Sequence, residues 1–214
     1  FAAAEYSGAL QKRKFLFGQT WFFEDIVSGE SPTATWGFFP KKNIYSGKSK
    51  FQKFEIFETP KFGRILALDG LVQFSTEHEH VYHEMLVHPA FFYCKNPKKV
   101  LIIGGGDGGV LREAVKYPLI KEIFLVDIDK MVTDVSKKYL PSLPGGSFGD
   151  KRVTILHEDA LNFVRQYKNY FDSGYKGSLR AINLDYRFLR GIRDNRMTIN
   201  GREIILATED IRHI

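Results

Sequence analysis

The chain has 214 residues, 43% of them hydrophobic, with 31 Lys and Arg against 25 Asp and Glu for a net charge of +6. That apolar fraction supports a packed core and excludes a disordered or collagen-like chain. The single cysteine, Cys94, excludes an internal disulfide framework and a multi-cysteine zinc site. No apolar run approaches the roughly 18 residues a membrane span needs. Residues 1–10 lack a basic segment followed by an apolar core, so a soluble cytoplasmic protein with no membrane partner is expected. Basic residues are interleaved with acidic ones and form no long run, which favours a solvated surface over a nucleic-acid partner. Up to Asp172 there are 18 Lys and 5 Arg; after it there are 1 Lys and 7 Arg. That change marks a boundary.

In chain order, residues 1–20 read as irregular. Residues 21–75 read as a small antiparallel β unit, with a turn at Gly63 and a hairpin at Asp69-Gly70 between apolar segments. Val81, Met85 and Leu86 recur at helical spacing, predicting a helix over 77–92. From residue 98 strands and helices alternate: strands at 100–103, 122–127 and 153–156, helices at 110–117, 130–140 and 160–167. The first strand is wholly apolar, as a strand covered on both faces should be. This is the first half of a doubly wound parallel α/β sheet. Three segments follow: 1–75, the N-terminal β domain; 76–172, the nucleoside-binding domain; and 173–214, a divergent tail.

Gly104, Gly105, Gly106, Gly108 and Gly109 form a loop directly after the first strand, and 104, 106 and 109 satisfy G-x-G-x-x-G. Glycine lets the backbone turn tightly and lie against a ligand. Asp127 ends the next strand, where a carboxylate can accept the hydroxyl protons of a ribose. Asp107 lies inside the loop. A carboxylate there would repel a pyrophosphate, so a nucleoside with a cationic arm suits it better than a dinucleotide; a helix N-cap is the plain alternative. Asp159, after the third strand, can meet an adenine amino group or cap the following helix.

A second concentration, 75–85, holds three of the six histidines. A zinc-protease H-E-x-x-H would need histidine where Tyr82 stands. His80 and Glu84 could share a metal at i, i+4, but without further ligands no metal site is expected. A polar helix face and a wall for ammonium groups remain as readings.

Gly-Lys-Ser-Lys-Phe-Gln (47–52), Leu-Asp-Gly (68–70), Tyr-His-Glu-Met (82–85), the run Asn-Pro-Lys-Lys-Val-Leu-Ile-Ile-Gly-Gly-Gly-Asp-Gly-Gly-Val-Leu-Arg-Glu (96–113) and Lys-Lys-Tyr-Leu-Pro (137–141) occur in this order. They resemble the polyamine aminopropyltransferases, above all those of the spermidine synthase type, over about residues 20–172. The resemblance implies a Rossmann-like sheet of the methyltransferase type behind a small antiparallel β domain, and a homodimer or homotetramer. It implies transfer of the aminopropyl group of decarboxylated S-adenosylmethionine, as co-substrate with no other cofactor, to putrescine, giving spermidine and methylthioadenosine. Gln52 and Asp107 would contact the donor, Asp107 through its amine. Asp127 would hold the ribose and Asp159 the adenine, and Tyr82 and His83 would line the meeting point of the two substrates.

Two departures stand out. His78 and His80 replace the family's usual Asp and aromatic. After Phe171-Asp172 the chain reads Ser-Gly-Tyr-Lys-Gly-Ser (173–178), without the buried strand and Asp-Ser-x-Asp-Pro that supply the family's proton acceptor. No catalytic base is therefore assigned; Asp172, Asp185 and Tyr82 are the substitutes at hand. The family's remaining sheet and amine-binding segment are expected to be absent, with 173–214 a tail of different coding origin. A hairpin is expected around Asn200-Gly201. Two other functions stay open: a catalytically impaired nucleoside- or polyamine-binding paralogue, and an S-adenosylmethionine-dependent methyltransferase.

Overall fold

A computed structural model describes residues 14–28, 31–93, 98–166, 180–183, 196–199 and 202–207. The chain divides into two compact units, Phe1–Glu79 and His80–Ile214.

In the first unit, β1 (Lys14–Leu16), β2 (Gln19–Ser28) and β3 (Ser31–Phe38) form one antiparallel sheet. The second sheet runs β4 (Lys42–Lys48), β5 (Lys53–Thr59), β6 (Gly63–Leu68), β7 (Leu71–Ser75). The expected irregular segment 1–20 is thus corrected where it is described: β1 and the start of β2 pair as a hairpin about Phe17-Gly18. The expected turn at Asp69-Gly70 is present, and both residues take positive φ (51° and 82°), as a tight two-residue hairpin demands. Phe22, Phe38, Phe57, Ile65 and Ala67 make the unit's buried cluster, with the Phe22 and Phe57 rings 4.9 Å apart.

In the second unit, α1 (Glu79–Tyr93) precedes β8 (Lys99–Ile103). Then come α2 (Gly109–Val115), β9 (Glu122–Val126), α3 (Lys130–Tyr139), β10 (Val153–Leu156) and α4 (Ala160–Gln166). The strands β8, β9 and β10 pair in parallel. Their side chains alternate between faces. Val100, Ile102, Ile123 and Leu125 pack with Leu86, Val87, Val110 and Leu111 of α1 and α2. On the opposite face Phe124 meets the Phe163 ring of α4 at 5.7 Å.

The expectation that the sheet stops here is overturned. β11 (Arg180–Asn183) pairs in parallel with β8, and β13 (Arg202–Ala207) pairs in parallel with β11. β12 (Arg196–Ile199) is the antiparallel edge, and the sheet order is β10-β9-β8-β11-β13-β12. Sequence pattern alone misses β11, because only Ala181 and Ile182 of its four residues are apolar. Its alignment comes from the wholly buried strand beside it. Ile199 of β12 stands opposite Arg202 of β13, and the turn expected at 200–201 itself lies outside the described residues. β8 therefore has parallel neighbours on both sides, and the crevice beyond its carboxyl end is where open α/β sheets bind ligands.

Candidate functional site

The loop after β8 is shaped by its glycines. Gly104, Gly105 and Gly108 take φ of 76°, 72° and 88°, a region costly for any residue with a Cβ. Gly106 is required for space instead: a Cβ there would stand 2.7 Å from Asp127 Oδ2. Gly109, which opens α2, lies directly under the His83 ring, and a methyl group would occupy the ring's position.

Asp127 follows β9 and is 9% exposed. Its Oδ2 accepts the Gly106 N–H at 2.8 Å and its Oδ1 the Asp129 N–H at 2.8 Å. Both donors are neutral. Burial pushes its pKa up to about 6, the two N–H bonds oppose the shift, and the charges of Asp107 and Asp129 add to it. The hydrogen bonds aim the carboxylate but leave it lacking positive charge.

Asp107 is partly buried, and its Oδ1 accepts the Gly109 N–H at 2.7 Å. The same oxygen lies 3.7 Å from His83 Nε2. Asp107 is not the N-cap of α2, which is Gly108 without a side-chain cap; it stands one residue earlier and accepts only the first amide of the helix. Oδ2 has no partner among the described residues. His83 is 1% exposed, and the Tyr82 ring meets its ring edge-on at 5.2 Å. Asp107, Asp127, His83, Tyr82 and the glycine loop thus share one neighbourhood in the second unit.

Asp159 is exposed, and its Oδ1 accepts the N–H of Leu161 at 2.7 Å and of Asn162 at 3.1 Å. It caps α4 in the manner of an N-cap carboxylate, both bonds made by the one oxygen. Gln52 belongs to the first unit, in the turn from β4 to β5. Its N–H donates to Ser49 Oγ at 3.1 Å and its carbonyl accepts the Ser49 N–H at 2.9 Å. Asp172 and Asp185 lie outside the described residues.

Four residues that the sequence pattern does not single out matter here. Asp129 caps α3 by accepting the Met131 N–H at 3.0 Å while its own N–H orients Asp127; the signal was the Asp-x-Asp spacing before a helix. Thr133 is buried behind Gly106, its hydroxyl unpartnered among the described residues. Glu113, 1% exposed, binds Arg112 Nε at 2.9 Å, Lys116 Nζ at 2.5 Å and His88 Nε2 at 3.2 Å. Glu84, His88 and Glu113 are the one group among the described residues with metal-capable spacing, their ligand atoms within 4.8 Å of one another. His80 is not in it. Because two cationic side chains already neutralise Glu113, the group is an ion-pair clasp rather than a cation site.

Among the described residues no helix is long and apolar enough to cross a membrane.

Residues 20–76 match the spermidine synthase tetramerisation domain, and residues 79–179 match the spermine/spermidine synthase domain. Over 131 residues the chain is 53% identical to the polyamine aminopropyltransferase of Hydrogenobaculum sp., covering 61% of this chain and 46% of that protein. It is 47% identical over 132 residues to the spermidine synthase of Schizosaccharomyces pombe, covering 62% of this chain and 44% of that one. A crystal structure of a spermidine synthase in complex with the transition-state analogue AdoDATO superposes with a TM-score of 0.66 at 39% identity, covering 77% of this chain and 54% of that chain. The chain therefore spans about half the length of the relatives it matches.

Proposed function

The chain belongs to the spermidine synthase family, and from that premise we propose that it binds decarboxylated S-adenosylmethionine and transfers the aminopropyl group to putrescine. One observation carries this: a second acid, Asp107, stands in the glycine loop with one oxygen unpartnered among the described residues, its charge raising the pKa of Asp127 further. Two such acids close together favour a ligand that brings positive charge. Decarboxylated adenosylmethionine brings two, a sulfonium and a terminal ammonium. Adenosylmethionine itself would bring a carboxylate to the same end, which weighs against the methyltransferase alternative.

Asp127 holds the ribose hydroxyls, Asp107 receives the propylammonium, and Asp159 offers its other oxygen to the adenine amine. Gln52 adds a donor contact, and Tyr82 and His83 line the junction of the two substrates. The putrescine nitrogen attacks the propyl carbon bonded to sulfur. The C–S bond breaks, its electron pair returns to sulfur, and methylthioadenosine leaves uncharged. The attacking nitrogen then loses a proton, giving spermidine. Sulfonium is a good leaving group, so the protein contributes orientation and deprotonation of the incoming amine. No base is assigned to a described residue. The donor is a co-substrate, and no further cofactor enters the scheme.

Assembly as a homodimer or homotetramer is part of the proposal. The three-stranded sheet and its first hairpin expose Phe15 (73%), Phe17 (92%) and Trp36 (57%), the kind of apolar surface a second copy covers. We place the protein in the cytoplasm, whose reducing conditions suit a lone cysteine.

The test is to incubate the protein with putrescine and decarboxylated adenosylmethionine and follow methylthioadenosine. Release with turnover is the expected result. Binding without release supports the impaired paralogue, which the absent Asp-Ser-x-Asp-Pro favours. Binding of adenosylmethionine instead overturns the proposal.

A further inference from the structure

Beside the apolar packing of Leu86 and Val87 on Val110 and Leu111, two histidines of α1 reach α2, and they run in step. His83 of α1 covers Gly109 at the first residue of α2. His88 of α1 meets Glu113, one turn further along α2, with Nε2 3.2 Å from Oε2. The intervals, five residues on α1 and four on α2, correspond to rises of about 7.5 and 6 Å, so the helices are pinned at two successive levels. The first level touches the donor site directly, through Asp107. The second does not.

The second pin is built more firmly than a surface ion pair. Glu113 is buried, which pushes its carboxyl pKa up, but hydrogen bonds and charge from Lys116 and Arg112 outweigh burial and hold it below the ordinary carboxylate value. Arg112 also donates from Nη1 to the Leu143 carbonyl at 3.0 Å, tying the clasp to the segment after α3. His88 Nδ1 lies 2.7 Å from the Tyr117 hydroxyl, so both ring nitrogens are engaged and the ring cannot swing away from Glu113 without losing two bonds. At the first level His83 Nε2 stands 3.7 Å from Asp107 Oδ1, in the loop just before α2.

We propose that Glu113, acting through His88, is a positioning residue that sets α1 against α2 and so holds His83 over Gly109 and Asp107 in the arrangement that receives the cationic arm of the donor. This deepens the function proposed above and rests on it. The clasp touches no substrate. Its effect falls on the Asp107 end of the site, because Asp127 is held by Gly106 and Asp129, which the clasp does not contact.

Titration calorimetry on the whole chain with two ligands tests this. Methylthioadenosine has the nucleoside but no ammonium arm; decarboxylated adenosylmethionine has both. In His88→Ala and Glu113→Gln, affinity for the decarboxylated donor should fall about tenfold while methylthioadenosine binds within about twofold of wild type. His88→Gln, whose amide N–H can still donate to Glu113, should recover most of the loss. Equal weakening of both ligands would mean a merely structural clasp and would overturn the proposal, as would no weakening of either or no recovery with His88→Gln. Should Glu113→Gln fail to fold, the two His88 variants carry the comparison alone. A wild-type chain that binds neither ligand overturns the donor-binding function itself, and this proposal with it.

Discussion

The two ends of the parallel sheet treat carboxylates in opposite ways. Beyond the carboxyl ends of β8 and β9, Asp127 is held by two neutral N–H donors, has acids for neighbours, and is raised to about 6. Just before the amino end of β10, Asp150 is gripped by Arg152 through Nε at 2.9 Å and Nη2 at 2.7 Å, and hydrogen bonding to that guanidinium holds its carboxyl near 2. Arg152 is itself saturated, donating also to the carbonyls of Tyr117 at 2.9 Å and Val115 at 2.7 Å, so it ties β10 to the end of α2. A carboxylate paired with a guanidinium is a completed structural joint. One aimed by backbone amides beside a second acid is a site that a cationic ligand completes.

Substitutions at the two ends should therefore separate binding from stability. The largest effect is expected for Asp127→Asn. On the proposed function it would remove charge-assisted hydrogen bonds to two ribose hydroxyls, about 3 kcal/mol or a hundredfold in nucleoside affinity by calorimetry, with little loss of folding. Next is Gly109→Ala. Its methyl group displaces the His83 ring, and thermal denaturation should show about 2–3 kcal/mol of destabilisation together with weakened donor binding. Arg152→Ala breaks the opposite end. It should cost about 2 kcal/mol in stability and leave nucleoside affinity unchanged; an affinity change there would erase the contrast between the ends.

The pH dependence should be smallest per step. The proposed ribose contact needs Asp127 ionised, so nucleoside affinity should fall as pH drops through 6, by about 1.4 kcal/mol or tenfold per unit. The unliganded protein has the opposite sign. A carboxyl raised in the fold contributes stability when protonated, present below its ordinary value and lost as pH rises through 6. Acidification from pH 7 to 5.5 should then weaken binding while Asp127 opposes unfolding. Asp127→Asn should flatten both trends; if they persist, another group is responsible.

Much of the second unit was legible because its signals are local. The apolar run 100–103 of β8, the glycines after it and the acid after β9 each answer to a short-range rule, and together they mark the place proposed for the nucleoside. The shared neighbourhood of Asp107 and His83 was legible only through the resemblance, since 24 positions separate them and no periodicity links them. Two features escaped for physical reasons, and one stayed open between two readings. β11 has two apolar residues, and its strand character comes from pairing with β8. Glu113 carries no local signal of burial, which pairing with Arg112 and Lys116 permits, with the His88 ring against it. Asp159 offered two roles, and the cap is visible only once the Leu161 and Asn162 N–H groups are in place.

On the proposed function, Asp107 makes this site select a nucleoside by the positive charge of its arm. The direct measurement is the dissociation constant for decarboxylated adenosylmethionine against that for adenosylmethionine, on the same protein at neutral pH. Asp107 beside a terminal ammonium without its carboxylate predicts tighter binding of the decarboxylated form by at least about tenfold. Equal affinities, or a preference for adenosylmethionine, would contradict it.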